Sequence, residues 1–298
     1  MKRYDRFVEK IEEIWPLFPA AIFLLFFFLL VFIKLFTISL TSAGVFPSLE
    51  PAVAILKNPE FSDALVNTLF FVAIGTPLEL LTGLFTALLV YNSYWGKSII
   101  RSIFVLPFAF PGLVIATLLF ILFDSQGGFA NHLLQGKYWL FPKVLEHDVA
   151  WRGNSVMALS VSMLGKVWRD TPISMLIILS GLNSIEPELI DAAKTMGAGF
   201  RVRLKRIILP LIFPAMTTVL LLRSVEMWKE FIFPYVLAGN YPLLGTLIEK
   251  LYGFGSDPGE AAIVALVLVV CTIITLVAIV EITGRIKRIL VNSGVHSK

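Results

Sequence analysis

Six long apolar runs, separated by short polar stretches, dominate this chain of 298 residues. A helix needs roughly 20 mainly apolar residues to cross the hydrocarbon of a bilayer. Runs of that kind fall at about 17–39, 67–90, 100–123, 156–182, 207–233 and 261–282. The pattern predicts an all-α membrane protein of six transmembrane helices. It divides into an amino-terminal segment 1–16, a first helix 17–39, a core of five helices over 67–282 and a tail 283–298, with a polar loop 183–206 inside the core. The first run outlasts the apolar region of a signal peptide, and no mature secreted domain follows Leu40–Ala43, so it reads as a retained helix.

Composition excludes a soluble domain: 57% of the residues are hydrophobic and 15% charged, with a mean hydropathy of +0.83. The net charge of +4 is small, and headgroups and topology explain the basic residues more simply than nucleic acid does. Residues 1–16, 91–99, 183–206 and 283–298 with Arg101 carry 15 Lys and Arg, against 5 in 40–66, 124–155 and 234–260. Basic loops stay inside, so both termini are expected in the cytoplasm. From Arg3 to Ile14 charges alternate with Phe7, Val8 and Ile11, which fits an amphipathic helix on the inner headgroups as well as a solvated tail. In the outer loops Trp139 and Trp151 read as interface aromatics. One cysteine, Cys271, allows no internal disulfide, and His132 and His147 show no metal-ligand spacing.

Charged residues inside a membrane helix normally face a cavity or a partner. Lys166, Arg169 and Asp170 follow i, i+3, i+4 in the fourth run; Arg223, Glu226, Met227 and Glu230 follow i, i+3, i+4, i+7 in the fifth, so each set shares one helical face. Such groups can satisfy the hydroxyls of a polyol, and Trp168 or Trp228 could stack on a sugar's apolar face. The same charges could instead pair with one another or with a partner subunit. Lys34 and Glu79 stand isolated, the latter suited to an inter-helix hydrogen bond, and Lys229 beside Glu230 suits an ion pair.

The polar break from Asn183 to Pro214 is built like a folded knob. Pro187 suits a first helical position, Glu188 and Asp191 are expected in the first turn, Ala192 and Ala193 are strong helix formers, and Gly197 and Gly199 permit a sharp turn. Arg201, Arg203, Lys205 and Arg206 then crowd the next apolar run.

Here the order Asp191-Ala192-Ala193, three residues, Gly197, nine residues and Ile207-x-Leu209-Pro210 resembles the coupling loop of ATP-binding-cassette importer permeases. The likeness runs from about Asn67 to Ile282 and includes Arg101-Ser102-Ile103-Phe104-Val105-Leu106-Pro107 and Gly181-Leu182-Asn183-Ser184-Ile185, similar to the carbohydrate-uptake, maltose-type branch. Asp191 stands where that pattern usually has Glu, and Met196 where Asp is common. The resemblance implies a type I importer bundle in which Glu188, Asp191, Ala192, Ala193, Gly197 and Pro210 couple to an ATPase. It also implies a sugar pathway lined near Lys166, Arg169, Asp170, Arg223, Glu226, Met227, Glu230 and Ile232. Implied partners are a homologous permease subunit in a heterodimer, two ATPase subunits holding ATP and Mg, and an extracytoplasmic solute-binding protein.

No nucleotide site of its own is visible. Gly96-Lys97-Ser98 would need glycine at position 91 for a phosphate loop, and Tyr91 is there. No zincin or nucleophile-elbow motif occurs, and Gly197-Ala198-Gly199 lacks the third glycine of a dinucleotide fold. An ion-coupled transporter, with Glu226 or Glu230 carrying a proton, is the alternative.

Overall fold

The computed structural model describes residues 15, 18–42, 44–92, 96–138, 142–253 and 258–295. The expected surface helix of the amino-terminal segment and Trp139 lie outside the described residues. The chain forms two compact units, one holding residues through 58 with 248–266, the other 59–247 with 267–298.

The first unit contains α1 (Phe18–Ser39) and α2 (Glu50–Lys57), with the end of α12 (Leu244–Gly253) and the start of α13 (Pro258–Val295). α1 is apolar on every side and buries only Ser39, so its flanks are suited to lipid or another chain. A side chain at Gly259 would meet the Thr41 carbonyl oxygen at 2.7 Å, which holds α13 close to the end of α1.

The second unit is built on α3 (Pro59–Asn92), α7 (Ser155–Asn183) and α10 (Leu209–Trp228). Gly83 lets α3 approach α7: a Cβ there would lie 2.5 Å from Ser174 Cβ. Thr82 and Thr171 exchange a hydroxyl hydrogen bond of 3.0 Å across the same contact. Met175, Ile178 and Leu182 of α7 pack with Ile212 and Val219 of α10 in the main apolar core. At the other end Phe233 and Leu237 of α11 (Ile232–Leu237) pack on Ile115 and Val161. Asn154 caps α7 by accepting the Met157 N–H at 2.9 Å.

The third apolar run departs from the expected single span. α4 (Lys97–Val105) and a short 3₁₀ turn (Leu106–Ala109) meet α5 (Gly112–Leu122) at 88°. Pro111 explains the break, because a residue before proline is driven out of the helical region, and Phe110 has ψ 138°. The fifth run also differs. Helix begins at Phe200, in α9 (Phe200–Arg203), and ends at Trp228 rather than 233. Between α9 and α10, residues Leu204–Ile208 widen into a π-turn in which the Leu209 N–H reaches the Leu204 carbonyl. Pro210 cannot donate to the preceding turn, and the widened turn accommodates it. The last helix is longer than expected, at 38 residues.

The predicted loops hold helices of their own: α2, α6 (Phe129–Leu134), α11 and α12. Asn131 organises the loop around α6. Its side-chain oxygen accepts from Val149 N–H and Trp151 Nε1, and its amide donates to the Asp124 and Val149 carbonyls. Trp151 therefore has a hydrogen-bonding role within its loop, beside Phe123.

Candidate functional site

Two places in the second unit carry the predicted residues. The first is a cluster of charges where α3, α7 and α10 meet. Lys166 Nζ lies 2.6 Å from Asp170 Oδ2 and 2.9 Å from Glu230 Oε2, with Glu226 Oε2 at 3.9 Å. Asp170 is shared: Arg169 Nη1 donates to its Oδ1 at 3.0 Å, and Arg223 Nη1 lies 3.5 Å from its Oδ2. The side chains of Lys166, Asp170 and Arg223 are each only 3% exposed. Buried ions survive only when paired in this way, since an isolated one costs several kcal/mol.

Helical periodicity explains most of this cluster. Lys166 and Asp170 lie one turn apart on α7, and Arg223 and Glu226 lie together on α10. Glu230 is a correction, because α10 ends at Trp228 and Glu230 sits in the break before α11. There its Oε1 accepts the Phe233 N–H at 3.2 Å while its Oε2 meets Lys166. Leaving the helix lets one carboxylate serve both an ion pair and the start of α11. Met227 is buried in the core and Ile232 opens α11, half-exposed.

The rim differs from the interior. Arg169 and Glu226 keep 28% and 32% of their side chains exposed. Arg169 also lies over the Phe108 ring, 5.6 Å from its centroid, in the turn where the third run breaks. Glu226 binds Lys229 at 2.8 Å on the exposed side. The two tryptophans go elsewhere. Trp228 is buried, with Nε1 donating to Thr275 Oγ1 at 3.0 Å, and Trp168 lines an apolar cavity of about 1030 Å³ between α3, α4 and α7.

Glu79 belongs to this cluster although it stood isolated in the sequence. It is fully buried on α3, with Oε2 3.7 Å from Arg223 Nε. Its only sequence signal is a carboxylate in a long apolar run; the partner lies far along the chain.

The second place is the knob. α8 (Pro187–Thr195) leaves α7 at 71°. Pro187 stands in its first turn and Glu188 is the acidic residue there. Asp191 lies one turn further on, outside the first turn, where its Oδ1 accepts from Lys194 Nζ at 2.7 Å. Gly197 ends the helix with φ +77°, a left-handed conformation that glycine adopts without strain. The Ala198 N–H then closes on the Ala193 carbonyl at 2.9 Å. Glu188, Asp191 and Ala192 are exposed, whereas Ala193 is buried against the chain itself and Ile185 enters the main core. Pro210 lies two helices further on, in the first turn of α10.

The sequence profile of the family described as "Binding-protein-dependent transport system inner membrane component" matches residues 79–287. Among relatives, the trehalose/maltose transport system permease protein MalF of Thermococcus litoralis is 29% identical over 209 residues, covering 70% of this chain and 68% of that protein. The sulfoquinovosyl glycerol transport system permease protein SmoG of Agrobacterium fabrum is 28% identical over 266 residues, covering 85% and 83%. A crystal structure of a bacterial ABC transporter that imports the acidic polysaccharide alginate contains a chain of the same fold, with TM-score 0.74, 18% identity and coverage of 94% and 99%. The helical architecture of the described residues and the long match of the profile agree, and the chain belongs to the binding-protein-dependent inner membrane components, the non-catalytic permease subunits of ABC importers.

Proposed function

We propose that this permease carries a sugar or related polyol, delivered by an extracytoplasmic solute-binding protein, through a pathway bordered by the charged cluster. The reading draws on relatives named for trehalose, maltose and sulfoquinovosyl glycerol, and on a related alginate transporter seen with its ligand-bound periplasmic protein. Within the cluster, Arg169 and Glu226 are the members a solute would meet. Lys166, Asp170, Arg223 and Glu230 are engaged with one another and form the wall behind them. Hydroxyls both donate and accept, which suits a guanidinium and a carboxylate side by side. Membership of an ATP-driven family sets aside the ion-coupled alternative.

In this reading a homologous permease completes the pathway as a heterodimer, and two ATPase subunits hold ATP and Mg. Both termini face the cytoplasm. α8 fits the ATPase with Glu188, Asp191 and Ala192 outward, so closure of the ATPase pair moves the knob as a rigid body and rocks the bundles between inward- and outward-facing states. The observation that carries this is the geometry of α8: a short helix turned 71° from its span, anchored through Ile185 and Ala193 and presenting a small exposed face.

Ala192→Arg tests it. The variant should lose co-purification of the ATPase subunits while the permease stays folded, as judged by its thermal unfolding. Retention of the ATPase at wild-type stoichiometry would defeat the coupling role of α8.

A further inference from the structure

Glu79 is the most deeply buried ionisable side chain among the described residues, and neither of its oxygens has a hydrogen-bond partner. Arg223 Nε, 3.7 Å away, also lacks one. The other end of that guanidinium reaches Asp170 at 3.5 Å, and Asp170 already serves Lys166 and Arg169. Glu226 engages Lys229 on the exposed side, and Lys166, Arg169 and Arg223 face the carboxyl groups of Glu79, Asp170 and Glu230. Removing the Glu79 carboxyl leaves Asp170 as the one carboxyl partner of Arg223 among the described residues. In a medium that screens poorly, Arg223 would then turn fully onto Asp170 and compete with Arg169 for its oxygens.

We infer that Glu79 is a positioning residue for Arg169. By drawing Arg223 toward α3, it keeps Asp170 Oδ1 available to orient the Arg169 guanidinium over Phe108 at the open rim. The importance of that orientation for transport rests on the reading of Arg169 as solute-facing. Glu79 itself touches no solute; its effect passes through two other side chains.

The test uses the assembled transporter in lipid nanodiscs, with only this chain carrying ¹⁵N-arginine. The Nε–H signals of Arg169 and Arg223 are assigned with Arg169→Lys and Arg223→Lys. Glu79→Gln should shift both signals by more than a line width, whereas Glu50→Gln, in the other unit, should move neither. A shift of Arg223 alone, with Arg169 unmoved, would overturn the relay. Should Glu79→Gln fail to assemble, Glu79→Asp, which keeps the carboxyl group but shortens its reach, is read by the same criterion. The solute-facing role is scored separately with aqueous phenylglyoxal and mass spectrometry. If Arg169 resists modification both without nucleotide and with ATP and vanadate, that role fails while the relay measured by the signals stands.

Discussion

Lys166 is the cation on which the interior charges converge, with Asp170 at 2.6 Å and Glu230 at 2.9 Å. Replacing it by an apolar residue of similar size leaves buried Glu230 without a cation and takes from Asp170 its nearest one. Lys166→Met should therefore lower stability by about 3 kcal/mol, the range for breaking a buried pair from one side; denaturant unfolding in micelles measures it. A loss under about 1 kcal/mol would mean that water already reaches the site. Most of these charges were legible from spacing, because Lys166 and Asp170 sit one turn apart in an apolar run. Glu79 was not, since periodicity reveals neighbours on one helix and says nothing of a partner on another. Glu230 was misplaced for a related reason: continuing the i, i+7 pattern past Trp228 assumes a helix that ends there.

At the scale of elements, the close contact of α3 with α7 depends on Gly83. A longer side chain would meet Ser174 Cβ at 2.5 Å and the Ser174 backbone carbon at 3.1 Å, neither of which can swing aside. Gly83→Leu should cost about 3 kcal/mol by forcing the helices apart. Its midpoint of thermal unfolding should fall well below that of Leu81→Ala, whose side chain lies largely exposed; equal midpoints would show that the contact is slack. Hydrophobic length located the first and fourth spans to within a residue at each end, because apolar run and helix coincide there. It missed the break in the third because residues 106–111 are as apolar as their surroundings, and only Pro107 and Pro111 mark the change of direction. It also stopped short on the last helix, whose final turns carry Arg285, Lys287 and Arg288 and so lose apolar character without losing helical form.

For the whole molecule, the distribution of basic residues makes an orientation prediction that can be checked directly. Met196, 87% exposed just after α8, is an accessible reporter. In a Cys271→Ala background, Met196→Cys should react with a membrane-impermeant maleimide in inside-out vesicles and stay unlabelled in right-side-out ones. The reverse pattern would invert the topology and, with it, the placement of the ATPase. The break between α4 and α5 has a consequence at this scale too. At 1.5 Å per residue, helices of 9 and 11 residues reach about 14 and 17 Å, and neither crosses roughly 30 Å of hydrocarbon. Their facing ends each leave main-chain groups without intrahelical partners, and oil offers them none. The bend must therefore be hydrated or sealed by a neighbouring polypeptide, and deuterium exchange at the amides of residues 106 and 108–110 separates the two, fast where water enters and slow where polypeptide covers them.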